Sequence, residues 1–219
     1  MDNSERFNEL KRGLDELRRH LLPQDFDPTG KYEPDVITKT LAYRVLAHAE
    51  IEAYVEEKTW EAACSAINAF KERGTSSRIL LTLLAYSGMQ MELPPATIDP
   101  IQEKQRKDWA NKTKLMKKLE KAVNSFRRSI DLNHGIKEEN ILKLLLPVGI
   151  KDVEIDELWL ANINSFAEMR GLAAHSSSSS SRAKQQVDPR TELERVESII
   201  EGLSAIDISL EDKIKSSCS

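Results

Sequence analysis

The sequence lacks several features that would assign it to a particular class of protein. It has only two cysteines, Cys64 and Cys218. Two isolated thiols so far apart supply neither a disulfide framework nor a zinc-ligand spacing, so a reducing cytoplasm is the expected compartment. No apolar run is long enough to span a bilayer, and the polar, acidic start of the chain is unlike a signal peptide. We therefore expect no membrane partner.

An excess of positive charge is also missing, as is any sign of strands. The chain has 32 Lys and Arg against 36 Asp and Glu, a formal net charge of -4. This balance argues against a broad nonspecific nucleic-acid surface, although it leaves room for a local basic groove. No stretch shows sustained period-two alternation, which favours an all-α fold.

Apolar residues instead recur at helical spacing along most of the chain. The second predicted helix could break near Lys58-Thr59. The most basic segment, 104–128, is expected to be a solvated helix face, and an RNA-tracking role is the less favoured alternative for it. The predicted helices are 4–22, 36–70, 77–86, 101–130, 137–146, 155–174 and 189–206.

One of these helices carries the residues with the clearest chemical potential. Trp159, Ile163 and Phe166 form one apolar stripe, and the next position on that stripe is Arg170. A partly buried guanidinium needs an anion. His175 follows five residues later and can move a proton near neutral pH. An arginine that holds negative charge and a histidine that transfers a proton can together act on a phosphate.

The spacing of Arg170 and His175 sets a geometric condition. Positions five apart on a regular helix differ by about 140° and about 7.5 Å of rise, so the two side chains would not share a face. Either the helix ends or loosens between them, or they meet through a second copy of the chain. Gly171 would leave room beside Arg170 for a phosphate or a partner backbone. The serine run that starts at Ser176 would form a mobile lip over the site.

The segment from Arg170 to His175 fits the motif of the HEPN superfamily, an arginine followed after four to six residues by a histidine near the end of a helix. Further pieces in the same order resemble one branch, the RiboL-PSP-type HEPN domains, from about residue 36 to the last helix. These pieces are Arg44-Val45-Leu46-Ala47-His48-Ala49-Glu50-Ile51-Glu52, Asn133-His134-Gly135-Ile136, Pro147-Val148-Gly149-Ile150, Trp159-Leu160, Asn164, Arg170-Gly171 and Ala174-His175-Ser176.

The resemblance implies a HEPN-like helical bundle that dimerises through its motif-bearing helices and forms one composite site from two arginine–histidine motifs. Active members cut RNA without a metal ion, in toxin–antitoxin, abortive-infection and other antiviral systems. It thus implies Arg170 and His175 as catalytic residues, RNA as substrate, no metal or cofactor, a homodimer, and an antitoxin or defence-system protein as a further partner. We expect one domain over 1–219, with an N-terminal helix and linker at 1–35, an insertion at 71–130 and a flexible serine-rich loop at 176–188.

The residue after the motif arginine keeps an alternative open. Many active HEPN motifs carry a polar residue straight after the arginine, where this chain has Gly171, a glycine that is common in this branch. Together with the acidic net charge, this glycine favours a catalytically inactive helical module that binds a partner protein or a nucleotidyltransferase. A second branch has a tyrosine just beyond the histidine that such an enzyme modifies. Serines stand there in this chain, so that modification is not supported.

Arg170 also needs an anionic partner when no RNA is bound. We expect Glu52 on the long second helix to orient Arg170 without carrying the proton, with Glu50 as the second choice. Arg44, His48 and Glu52 are each four residues apart and so share one row of that helix. His48 is expected to be a core-edge histidine bonded to Glu52, and Arg44 to have a structural role.

Overall fold

The computed structural model describes residues 2–89, 112–175 and 187–218, without the side chains of 112–114, 172–175 and 218. Its described residues form seven α-helices and one 3-10 turn and contain no strand, which confirms the predicted all-α fold. The elements are α1 (Glu5–Leu21), α2 (Pro34–Arg73), α3 (Arg78–Tyr86), α4 (Lys112–Asp131), α5 (Glu138–Leu145), the 3-10 turn (Asp152–Glu154), α6 (Glu157–His175) and α7 (Pro189–Cys218).

The 40-residue helix α2 is the centre of the bundle, because it contacts each of the other six α-helices. It runs unbroken through Lys58 and Thr59, where the sequence allowed a break. The Thr59 hydroxyl donates to the carbonyl of Val55 at 2.8 Å, one turn earlier. The buried ammonium of Lys58 donates to Glu61 and to Glu211 of α7. Both polar side chains therefore have partners inside the bundle, and the helix has no reason to open there.

Helix α1 is held at its first residue by a buried carboxylate. The Ser4 hydroxyl caps α1 by accepting from the amide of Phe7. Asp207 of α7 is fully buried and accepts hydrogen bonds from the Ser4 amide and hydroxyl, each at 2.7 Å. Asp207 also accepts from the Tyr54 hydroxyl at 2.7 Å, which ties α1, α2 and α7 together.

Helix α7 extends well beyond the predicted end near Ile206, reaching Cys218. The added turns carry Asp207, the buried Leu210 and the Lys58 partner Glu211. Contacts with distant parts of the chain therefore stabilise a segment whose local sequence gave only a weak helical signal.

Helix α6 is set against α7 by an unusually close approach at Trp159. The indole Nε1 donates to the carbonyl of Ile199 at 2.9 Å. A Cβ added to Gly202 would lie 2.6 Å from Trp159 Cγ, so only a glycine fits beneath the ring. This contact fixes the rotation of α6 and directs Ile163 and Phe166, both fully buried, into the core.

The predicted insertion at 71–130 stays a prediction, since its central residues 90–111 lie outside the described part of the chain. Within the described ranges, none of the helices is both long and apolar enough to cross a membrane.

Candidate active site

Arg170 lies where the buried stripe of α6 reaches the edge of the bundle. Trp159, Ile163 and Phe166 are buried, and Arg170 is half-buried, as the spacing of the stripe predicted. Its Nε atom is buried and has no hydrogen-bond partner among the described residues. A buried guanidinium nitrogen without a partner is costly, so this position is suited to an acceptor brought by a ligand or a second chain.

His48 packs beside this position on α2 and is fully buried. Its ring lies 6.1 Å from the ring of Phe166, and a Cβ on Gly135 would be 3.9 Å from its Cε1 and Nε2. Burial, assisted by the charge of Arg170, lowers the pKa of His48 to about 4. The imidazole is therefore neutral near pH 7 and is a poor proton acceptor there.

Glu52 is the carboxylate closest to His48, with Oε2 at 3.5 Å from Nδ1. The Nδ1 atom nevertheless has no hydrogen-bond partner, so the predicted bond between the two is a contact without hydrogen-bond geometry. Burial and the neighbouring Glu56 raise the pKa of Glu52, whereas the Gly135 amide, Arg170 and His134 oppose the rise. Glu52 thus interacts electrostatically with Arg170, but no ion pair within 4 Å joins them.

Glu50 lies on another side of α2. A Cβ added to Gly13 of α1 would be 3.5 Å from Glu50 Oε2, so this carboxylate faces α1. Residues two apart on a helix differ by about 200°, which explains why Glu50 and Glu52 point to different neighbours. The structure therefore brings Glu52 towards Arg170 and leaves Glu50 elsewhere.

Arg44 forms a buried network that holds α6 just before Arg170. Its Nε and Nη2 donate to the two carboxylate oxygens of Glu192 at 2.8 and 2.7 Å. Its Nη1 also donates to the carbonyl of Met169 at 3.5 Å. Arg195 donates to Glu192 at 3.1 Å and to the Met169 sulfur at 2.9 Å. The structural role predicted for Arg44 therefore extends to placing the residue next to Arg170.

The turn after α4 borders Glu52 from the other side. The Asn133 side-chain amide donates to Glu56 Oε1 at 2.8 Å and to the Gly135 carbonyl at 3.0 Å. Asn140 donates to the Asn133 side-chain oxygen at 2.8 Å. These bonds hold Gly135, whose φ is 135°, against the His48 ring.

Glu56, Glu192 and Arg195 were missed as site-supporting residues by sequence reasoning. Of these, only Glu56 could have been found from the sequence, because it lies four residues after Glu52 and so continues the row that His48 and Glu52 form on α2. Glu192 and Arg195 belong to a distant helix, and their contacts depend on how that helix packs.

The backbone of α6 continues as a helix to His175. The helix therefore neither ends nor loosens between Arg170 and His175, and the meeting of these side chains through a second copy stays a prediction. The His175 side chain and all of Ser176 lie outside the described residues. Gly171 is half-exposed, and among the described residues a Cβ added there would meet no atom within 4 Å.

These features define a class of helical domain, a bundle in which a central helix packs on a second helix that carries an Arg-x4-His motif at its end. The chain belongs to the RiboL-PSP-HEPN family, whose family model matches residues 2–212. No curated protein matches the chain, and no solved structure does.

Proposed function

We propose that this protein is a metal-independent endoribonuclease that acts in prokaryotic antiviral defence or as a toxin. The observation that carries the proposal is the buried Nε of Arg170, which has no hydrogen-bond partner among the described residues, beside Gly171, where an added Cβ would meet no described atom within 4 Å. The position of Arg170 in the family motif adds support, because the same helix carries His175 five residues later.

The reaction needs three groups around one phosphate. The 2′-hydroxyl oxygen attacks the adjacent phosphorus, a new O2′–P bond forms and the P–O5′ bond breaks. A base takes the 2′-hydroxyl proton and an acid protonates the departing 5′-oxygen, which leaves a 2′,3′-cyclic phosphate and a free 5′-hydroxyl. An imidazole such as that of His175 suits either proton transfer near neutral pH, and Arg170 can hold two phosphoryl oxygens through its planar fork.

The second proton carrier would come from a second copy of the chain. Because α6 stays helical to His175, Arg170 and His175 of one copy start from different faces of the helix. In a homodimer that joins the motif-bearing helices, His175 of each copy can serve the opposite proton transfer. The lack of a side chain at Gly171 suits the close approach of a phosphate or of the partner backbone.

Residues around Arg170 would position it and leave proton transfer to His175. Glu52 attracts the guanidinium electrostatically, whereas His48 is neutral near pH 7. The Arg44–Glu192 pair anchors the backbone at Met169 and so limits movement of the next residue. A fixed cation stabilises developing phosphorane charge without reorganising during the reaction.

The test is incubation of the purified protein with total RNA and a chelator, beside the variants His175→Ala and His20→Ala. His20 is an exposed histidine at the end of α1, so its replacement controls for the loss of an imidazole. We expect cyclic-phosphate ends with wild type and His20→Ala but not with His175→Ala. Intact RNA with all three folded proteins would contradict the nuclease and favour the alternative, an inactive HEPN module that binds a partner protein or nucleotidyltransferase.

A further inference from the structure

Positive charge is concentrated on α4. Its 20 residues include seven Lys and Arg but only two acidic residues, Glu120 and Asp131. The whole chain has more acidic than basic residues, 36 against 32. A strongly basic helix in an acidic protein creates a local potential that attracts polyanions.

Three of these cations form a straight, exposed row. Lys117, Lys121 and Arg128 follow one another at helical spacing on the side of α4 opposite its buried residues, with Asn124 between them. No carboxylate among the described residues lies within 4 Å of these three side chains. The two acidic residues of α4 have other partners: Glu120 pairs with Lys71, and Asp131 pairs with Arg127. We call Lys117, Lys121 and Arg128 the basic row; it spans about 16 Å along the helix axis.

The C-terminal end of α4, which follows the basic row, contacts the α2 surface near the candidate active site. Arg127, the neighbour of Arg128, places its guanidinium 5.2 Å from the ring centre of Trp60 on α2. Trp60 is half-buried and stands eight residues, or about 12 Å, along α2 from Glu52. Beyond the end of α4, Asn133 bonds to Glu56 on the same stretch of α2. The C-terminal end of α4 therefore packs near the stretch of α2 that carries Glu52, and an RNA chain held at Arg170 would turn round this end to reach the basic row, which faces away from α2.

We propose that the basic row binds the backbone of single-stranded RNA and guides it to Arg170. The inference rests on the proposed function, because it names how that site holds its substrate. Cations in one exposed row suit a phosphate backbone, and a Trp ring beside an Arg can stack a base. Single-stranded RNA fits because the 2′-oxygen must lie in line with the leaving 5′-oxygen, which base-paired A-form geometry prevents.

The test measures RNA binding in the non-cleaving His175→Ala background. One variant adds Lys117→Gln, Lys121→Gln and Arg128→Gln, since glutamine is also a good helix former. The matched control adds Lys11→Gln, Arg12→Gln and Arg19→Gln, which remove three exposed cations from α1. Helix α1 packs on α2 and α7, whereas α4 packs on α2, α3 and α5.

The readout is fluorescence anisotropy of labelled oligouridine over a range of salt concentrations. Each lost phosphate contact reduces the slope of log affinity against log salt by about 0.7, so the basic-row variant should lose about 2 units. Between about 50 and 200 mM salt, the factor by which the affinity of the basic-row variant falls should therefore be roughly 15- to 20-fold smaller than the factor for the control. Circular dichroism checks that both variants remain folded.

Equal slopes for the two variants, or no binding by the His175→Ala protein, would overturn the inference. Equal competition by double-stranded RNA would overturn its single-strand part. RNA binding that depends on the basic row, together with intact RNA in the chelator experiment, would support RNA binding by the row and contradict the proposed nuclease activity. Failure of the inference and failure of the proposed function are therefore distinguishable.

Discussion

The imidazole Nδ1 of His48 lies 3.5 Å from Oε2 of Glu52 without forming a hydrogen bond. The two residues are one turn apart on α2, and the positive charge of Arg170 acts on both by lowering their pKa values. Burial nevertheless raises the pKa of Glu52 and lowers that of His48, so it disfavours the charged form of each. The two residues therefore make opposite contributions to the pH dependence of the stability of the fold.

Acidification should destabilise the fold through His48. Its pKa falls from 6.5 to about 4 on folding, so the unfolded state binds more protons between these values. The stabilisation from neutral His48 is complete above about pH 6.5 and is lost as the pH falls through that window. The shift corresponds to about 3 kcal/mol of unfolding free energy, measurable by urea denaturation at several pH values.

The variant His48→Gln provides the control, because it cannot gain the proton. Its unfolding free energy should change less between about pH 6.5 and pH 4 than that of wild type. Glu52 acts in the opposite direction, since a carboxyl whose pKa is raised loses stabilisation as the pH rises above its ordinary value. Parallel pH profiles for wild type and His48→Gln would contradict the assignment to His48.

Glu52→Gln should reduce RNA cleavage less than His175→Ala does. Loss of a proton-transfer group typically costs 10²–10⁴-fold, whereas a charge that only orients Arg170 should cost on the order of tenfold. Initial rates of cyclic-phosphate formation measure both. Glu50→Gln is the matched control, with the same change on the same helix but facing α1. Equal losses of cleavage rate for Glu52→Gln and His175→Ala, in folded dimers, would indicate that Glu52 takes part in the proton transfer.

The helices were predictable from the sequence because their signals are local. Apolar spacing located all seven of the described helices. The half-buried position of Arg170 also followed from local spacing, since Trp159, Ile163 and Phe166 precede it on one stripe.

Contacts between distant segments could not be predicted in this way. Arg44 and Glu192 are 148 residues apart, and neither has a local pattern that selects the other. The same limit applies to the last part of α7, where Asp207 bonds to Ser4 and Tyr54. The missing ion pair between Glu52 and Arg170 depends on the separation of α2 and α6, which side-chain packing sets.

The two arginines near α6 should respond differently to replacement by methionine. Arg44→Met leaves Glu192 buried with only Arg195 as a charged partner, so we expect a loss of about 3–5 kcal/mol of unfolding free energy. Arg170→Met removes a half-buried cation whose Nε has no partner, and should change stability by less than about 1 kcal/mol. Urea unfolding measures both.

Activity gives the complementary readout for this pair. Arg170→Met should abolish cleavage in a protein that melts like wild type, because the phosphate loses its guanidinium. If Arg170→Met were instead as destabilising as Arg44→Met, Arg170 would have a structural role, and the argument for a phosphate site would lose its main support.

Two helical glycines provide the sharpest comparison. A Cβ on Gly202 would overlap the Trp159 ring, lying 2.6 Å from its Nε1, whereas a Cβ on Gly171 would meet no atom of the described part of the chain within 4 Å. Gly202→Ala should therefore destabilise the protein by about 1–3 kcal/mol, and Gly171→Ala should stabilise it by up to about 1 kcal/mol. If the space at Gly171 receives a phosphate or the partner backbone, the more stable Gly171→Ala protein should cut RNA more slowly. Thermal melting, sedimentation and cleavage rates separate the effects, and a stable, dimeric, fully active Gly171→Ala protein would show that this space is unused.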